Sequence, residues 1–192
     1  ELSRNDGRYR VESFAVAALP QNAVVEKNIT DTEVVAETLR LAYTRSRSKQ
    51  KNAAVAVSGA AVITKVIEMS ADLKEEVMET QITMEADQYI PYPLDEVALD
   101  FEVLGPSERN EEMVEVLLAA SRQDNIDSRV EALELVDLEA KVVDIEAFAM
   151  ERTFTLIAQQ FELNENSVVA IVDIGATVTT LSVIVNEETI YT

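Results

Sequence analysis

The chain has 192 residues, of which 47% are hydrophobic, so it is long and apolar enough for one sizeable core or two small ones. Its 16 basic and 36 acidic residues give a net charge of -20, which repels nucleic-acid backbones and anionic lipids. The sequence contains no cysteine and no histidine, which excludes disulfides, thiolate and imidazole metal sites, and catalysis by a histidine base.

No segment of the sequence has the pattern of a membrane span or a signal peptide. The longest apolar runs are too short to cross a bilayer, and the start ELSRND is not basic and then apolar. We therefore expect a cytoplasmic protein without direct membrane insertion. Only four glycines and four prolines are present, which favours well-formed helices and strands in an α/β or α+β class.

The first part of the chain predicts a strand, a helix and a second strand. Residues 8 to 19, RYRVESFAVAAL, nearly alternate and predict a strand ended by Pro20. Asp31 is placed to cap a helix that begins at residue 32, because apolar residues recur there at helical spacing. Residues 53 to 57 are small and apolar without a break, as in a strand that is covered on both faces.

A change of sheet and of domain is predicted at Gly59. Residues 62 to 68 alternate as in a strand with one face exposed to solvent. The next element is a helix whose apolar face comprises Leu73, Val77, Ile82 or Gln81, Met84 and Tyr89. Two strands, EVALDFEVLG and EEMVEVLLAAS, and a helix over 126 to 138 follow it. The order β-α-β-β-α predicts a compact insert.

The last part predicts a buried strand over 141 to 145, a helix, a turn over 164 to 166, and a hairpin with the sequence VVAIVDIGATVTTLSVIV. Taken together, the elements predict an α/β domain that is interrupted by the insert.

Asp173 and Gly175 stand in the middle of this last apolar run. An unpaired buried carboxylate is costly, so Asp173 is expected to face a cleft. Gly175 permits a positive φ or a close approach to the backbone, and Ala176 and Thr177 offer backbone N–H groups and a hydroxyl. Such a turn can bind phosphate oxygens while Asp173 holds Mg²⁺ through water. A hairpin turn favours glycine in any case, so an Asp173 that only caps the turn is the alternative.

The context of this turn resembles the actin, Hsp70 and sugar-kinase superfamily. Glu146-Ala147-Phe148-Ala149 resembles its Glu-Pro-x-Ala connecting motif, with Ala147 in place of the usual proline, and the hairpin resembles its second phosphate-binding hairpin. The passages RYRVESFAVAALPQNAVVEKNITD, NAAVAVSGAAVITKVIEM and, above all, MEADQYIPYPLDEVALDF resemble one branch. That branch is the PilM family, actin-like proteins of type IV pilus assembly that are related to FtsA.

The resemblance implies a partial actin-like (ribonuclease H-like) domain 1A that is interrupted by domain 1C. Domain 1A would comprise residues 1–60 and 138–166, domain 1C residues 61–137, and residues 167–192 would begin domain 2A with the second phosphate hairpin.

The resemblance also implies a cytoplasmic scaffold that is attached to the inner membrane through partner proteins. It would bind ATP with Mg²⁺ at the positions Asp173, Gly175, Ala176 and Thr177, and hold the N-terminal peptide of PilN in a groove between 1A and 1C. The expected groove walls are the apolar residues Val55, Val57, Val62, Ile63 and Val66, whose character suits a core equally well. Other pilus assembly proteins are further candidate partners.

An enzyme of the same superfamily is the main alternative. In an ATPase or kinase, Glu146 or Asp173 would orient the attacking water or hydroxyl. The PilM-like insert favours the scaffold, and we expect no turnover in this chain.

In the family, the first phosphate hairpin precedes residue 1 and the adenosine-contacting segments follow residue 192. We therefore expect these 192 residues alone to bind ATP feebly or not at all. An open sheet edge recruits strands, so we also expect residues 168–191 to complete the 1A sheet, within the chain or by exchange in a homo-oligomer.

Overall fold

The computed structural model describes residues 1–161, 163–164, 167–185 and 188–191, and the chain forms two compact units. The first unit is discontinuous and comprises Glu1–Ser58 and Asp127–Thr192, and the second comprises Gly59–Ile126. Both units combine helices with strands, which confirms the predicted α/β class with an insert after Ser58.

The first unit begins with two short hairpins. β1 (Leu2–Asn5) pairs antiparallel with β2 (Arg8–Val11), and β3 (Val24–Val25) pairs antiparallel with β4 (Asn28–Ile29). The strand predicted over 8 to 19 is wrong beyond Val11. No strand in the described residues pairs with the later part, and Phe14 and Val16 are 80% and 78% exposed there.

The core of the first unit lies on a parallel strand pair. α1 (Thr32–Ser46) packs with the end of α3 (Gln123–Glu134) against β5 (Asn52–Val57) and β9 (Glu139–Ile145). The buried side chains of this core are Ala36, Leu133, Val136 and Leu138. The predicted cap of α1 is confirmed, because Oδ1 of Asp31 accepts a hydrogen bond from the Val34 amide at 3.0 Å.

The second unit is a three-stranded antiparallel sheet with one helix. β6 (Val62–Ser70), β7 (Val97–Pro106) and β8 (Met113–Arg122) pair in the order β6-β8-β7. α2 (Glu75–Glu85) buries residues spaced by four on this sheet, against a core that comprises Met69, Met78, Ile82, Val116 and Leu118. The predicted helix face is confirmed at Leu73, Ile82 and Tyr89, which pack in this core. It is wrong at Val77 and Met84, which are 48% and 78% exposed.

The unit boundary after the sheet lies at Ile126, whereas the sequence places the end of domain 1C at 137. The reason is that the residues from Leu133 to Leu138 pack against Ala36 of the first unit. The assignment of domains 1A, 1C and 2A itself stays a prediction.

The chain ends in α4 (Glu146–Ile157) and a separate sheet. β10 (Val168–Ile174), β11 (Thr179–Val185) and β12 (Glu188–Tyr191) pair antiparallel in that order. The turn predicted over 164–166 lies in part outside the described residues.

The prediction that residues 168–191 complete the domain 1A sheet within the chain is wrong. Where the structure is described, β5 and β9 pair only with each other, and β12 takes the second edge of β11. Glu151 of α4 also holds this sheet, because its Oε2 accepts a hydrogen bond from the Thr189 amide at 2.6 Å. Exchange of this sheet with a neighbouring chain stays a prediction.

Candidate functional site

The turn between β10 and β11 is closed by a glycine. The amide of Gly175 donates to the Val178 carbonyl at 3.1 Å, and a Cβ on Gly175 would lie 2.8 Å from that oxygen. Close approach of the backbone, and not a positive φ, is therefore what requires glycine here. Ala176 and Thr177 are exposed in the turn.

Three elements that are distant in sequence bring oxygen atoms around the ammonium group of Lys27. Its Nζ lies 2.7 Å from Oε2 of Glu146, 3.6 Å from Oδ2 of Asp173 and 3.3 Å from Oγ1 of Thr180. Glu146 is the first residue of α4, Asp173 lies near the end of β10, and Thr180 lies on β11. The Lys27 side chain is 21% exposed, whereas the side chains of Glu146 and Asp173 are 36% and 50% exposed, so water reaches the cluster from the carboxylate side.

The backbone that carries Lys27 is a two-residue turn between β3 and β4. Both turn residues have left-handed conformations, with φ of 49° at Glu26 and 65° at Lys27. Such a turn normally takes Asn-Gly, because a side chain in this region is strained. The strained turn directs the Lys27 ammonium group toward Glu146 and Asp173.

Arg129 of α3 holds this turn from the other side. Its side chain is buried, Nε donates to the Ala56 carbonyl at 2.8 Å, and Nη2 donates to the Lys27 carbonyl at 2.8 Å. Burial lowers the pKa of Arg129, and the charge of Glu146 acts in the opposite direction. The guanidinium group stays protonated under ordinary conditions, so it links the end of β5 to the Lys27 turn with charge-assisted hydrogen bonds.

The hydrogen bond to Glu146 is the main cause that raises the pKa of Lys27 above its ordinary value. Partial burial opposes this effect, and the charges of Glu146 and Asp173 reinforce it. The side chain of Lys27 is thus a permanent cation at neutral pH.

Of the residues that the sequence singles out, the structure brings Glu146 and Asp173 to one cation and leaves Ala176 and Thr177 in the exposed turn. Sequence reasoning missed Lys27, Arg129 and Thr180. Lys27 and Glu146 are 119 residues apart, so no local spacing reveals their contact. The one available signal is the dipeptide Glu26-Lys27 between two short β-rich runs, where a hairpin would favour glycine.

The predicted groove residues lie in both units. In the first unit, Val57 is 3% exposed and Val55 packs against the core of Ala36. In the second unit, Ile63 lies on the β6 face that also carries Met69 and α2, since residues two apart share a face. Val62 and Val66 lie on the opposite face of β6, where Val66 is 47% exposed.

The oxygen atoms around Lys27 are of the kinds that bind Mg²⁺ in a magnesium–phosphate complex. Mg²⁺ commonly binds one or two carboxylates and completes its shell with phosphate oxygens and water. Glu146 and Asp173 can supply those carboxylates and Thr180 a hydroxyl. The described residues contain no cluster of three or more acidic side chains that could hold a metal ion by themselves.

In the part of the chain that the structure covers, no helix is long and apolar enough to cross a membrane.

Comparisons with known proteins give one consistent result. The family model described as type IV pilus assembly protein PilM matches residues 1–192. A solved structure described as the "PilM-PilN type IV pilus biogenesis complex" contains a chain that is 27% identical, with a TM-score of 0.80. The match covers 100% of this chain and 55% of that chain, so the present chain spans just over half of its length. This likeness confirms the predicted actin-like fold class.

Proposed function

The chain belongs to the family of the type IV pilus assembly protein PilM, and from this premise we propose that it is an actin-like scaffold of the pilus assembly machinery. Its partner in this proposal is the N-terminal cytoplasmic peptide of a PilN-like inner-membrane protein. The observation that carries the proposal is the match of the family model to residues 1–192, supported by the TM-score of 0.80 to a chain of a PilM-PilN complex. The scaffold would thus be cytoplasmic and attached to the inner membrane through its partner.

The apolar residues proposed to contact the peptide are Val55, Val57, Val62, Ile63 and Val66. Val66 is the member best suited to contact a partner, because 47% of it is exposed on a sheet face that α2 does not cover. Val57 is almost fully buried, so its contribution would be to shape the groove wall.

The proposal is tested by titrating a PilN-like N-terminal peptide into the 192-residue chain and into a longer, ATP-loaded form of the protein. We expect the peptide to bind both forms and a scrambled peptide to bind neither. Binding of the scrambled peptide with equal affinity would contradict the scaffold proposal.

A matched pair of variants locates the groove. Val66→Asp should weaken peptide binding about tenfold or more, since a charge would replace an exposed apolar side chain that the bound peptide would cover. Val77→Asp is the control, because Val77 is 48% exposed but lies on α2. Thermal melting of both variants verifies that each remains folded. Equal loss of affinity in both variants would place the peptide elsewhere.

In this proposal, ATP and Mg²⁺ bind to a longer form of the protein, one as long as the matching chain of the solved structure. The phosphate groups would meet the turn of Gly175, Ala176 and Thr177, and Asp173 would hold the metal through water. Titration of ATP into the 192 residues should give no micromolar affinity, and a micromolar affinity would show that the turn suffices.

The scaffold is favoured over an ATPase or kinase by the match of the PilM family model to residues 1–192. In the structure the Lys27 ammonium group pairs with one carboxylate oxygen of Glu146, Oε2. A measurable rate of ATP hydrolysis that Glu146→Gln abolishes would support the enzyme instead.

A further inference from the structure

The ammonium group of Lys27 stands where two carboxylates converge. Its Nζ is within 2.7 Å of a Glu146 oxygen and 3.6 Å of an Asp173 oxygen. These two carboxylates come from α4 and β10, and the Lys27 ammonium group forms an ion pair with each of them. Without Lys27, both carboxylates would lose this cation, and the charge of Arg129 would still act on Glu146.

The protein holds Lys27 in this position at a cost in backbone strain. Both residues of its turn adopt left-handed φ angles that favour glycine, and neither is a glycine. A strained conformation persists only where the surroundings enforce it, and here the buried Arg129 binds the Lys27 carbonyl at 2.8 Å. The buried guanidinium group thus holds the backbone of the Lys27 turn in place.

We propose that Lys27 is an internal counter-cation. Its ammonium group occupies the position beside Glu146 and Asp173 where a divalent metal ion would otherwise bind, and so it keeps metal ions out of that position. Lys27 is in this sense a positioning residue, because it fixes the two carboxylates and has no chemical step of its own. A metal–phosphate ligand must displace the ammonium group before the carboxylates can face the metal. Binding of the metal–phosphate ligand and release of the β3–β4 turn from the two carboxylates then occur together.

This inference rests on the proposed function only in naming a metal-bound nucleotide as the ligand that displaces Lys27. The occupation of the cation position by Lys27 is testable with Mg²⁺ alone, without nucleotide or peptide. Failure of the peptide experiment would therefore leave this test unaffected, and the reverse also holds.

The test compares the thermal midpoint of the 192-residue chain with that of Lys27→Gly over increasing Mg²⁺ concentrations. Glycine removes the ammonium group and suits the φ of 65°, so this variant should fold. A metal that binds the folded state raises the midpoint, and NaCl at equal ionic strength corrects for screening. We expect the Mg²⁺ affinity of Lys27→Gly to be about tenfold or more above that of the parent chain, because a unit positive charge has been removed from the site.

Three further variants separate this role from a merely structural one. Lys27→Arg keeps the charge and should show the low Mg²⁺ affinity of the parent chain. The double variant Lys27→Gly/Glu146→Gln should lose the gain in affinity. Lys141→Ala removes a lysine from an exposed ion pair with Glu139 and should change nothing.

Equal Mg²⁺ affinity in the parent chain and Lys27→Gly would overturn the proposal, as would a gain that survives Glu146→Gln. If the glycine variant melts too low to measure, Lys27→Asn replaces it under the same criteria, because asparagine also tolerates the left-handed region.

Discussion

Arg129 is the residue on which the local order of the candidate site depends. Its guanidinium group is buried and donates to the carbonyl groups of Ala56 and Lys27, so it joins β5 to the β3–β4 turn. The carbonyl groups would lose these donors if the side chain were removed, and buried acceptors without partners are costly.

Arg129→Met should therefore lower the free energy of unfolding by about 3 kcal/mol. Urea denaturation measures this change. Arg122→Met is the matched control: the Arg122 side chain is 49% exposed and pairs with the exposed Asp124, and such surface pairs contribute about 0–1 kcal/mol. A loss in Arg129→Met no larger than in Arg122→Met would show that water replaces the guanidinium group.

Gly175 should tolerate no side chain. The Cβ of Gly175→Ala would lie 2.8 Å from the Val178 carbonyl oxygen, a backbone atom that cannot move without reshaping the turn. We expect a loss of about 1–3 kcal/mol in the free energy of unfolding. Ala176→Ser in the same exposed turn should change it by less than about 0.5 kcal/mol. An unchanged denaturation midpoint for Gly175→Ala would indicate that the turn is loose.

Sequence reasoning succeeded at this scale where a residue acts on its neighbours. Asp31 caps α1 through an amide three residues away, and Gly175 lies within 2.8 Å, measured from an added Cβ, of the carbonyl oxygen three residues further on. It failed where the partner is remote, since Lys27 and Thr180 are 153 residues apart and only the fold brings them together.

The buried face of helix α2 is determined by the sheet against which the helix packs. The sequence offers apolar residues on several sides of this helix, and periodicity alone favoured Val77 and Met84. The structure buries Ile82, which the pattern also favoured, but it buries Met78 in place of Val77, because Met78 and Ile82 fit beside Val116 and Leu118. Packing against a particular sheet decides between faces that the pattern leaves nearly equal.

Ile82→Ala should therefore destabilise the chain by about 2–5 kcal/mol, the usual cost of a cavity at a fully buried position. Met84→Ala, at a residue that is 78% exposed, should cost less than about 0.5 kcal/mol. Chemical denaturation of both variants gives the comparison. The reverse order of the two losses would show that Met84, and not Ile82, packs in the core.

At the scale of the whole molecule, the net charge of -20 acts against the compact state. Repulsion among exposed carboxylates extends over about 30 Å at 0.01 M ionic strength and over only about 3 Å at 1 M. The free energy of unfolding in urea should thus rise by roughly 1 kcal/mol between low and high NaCl. A fall would mean that ion pairs such as Lys27–Glu146 outweigh the repulsion.

The parallel pairing of β5 with β9 also sets an order of events during folding. Asn52 pairs with Glu139, so this sheet cannot close until the whole insert has left the ribosome. Val62 pairs with Ser121, which means that an insert folded on its own brings its two ends together. The effective loop between β5 and β9 then becomes short, and the entropy lost on closing it falls. We therefore expect that folding of the insert before the rest of the chain would speed the pairing of β5 with β9.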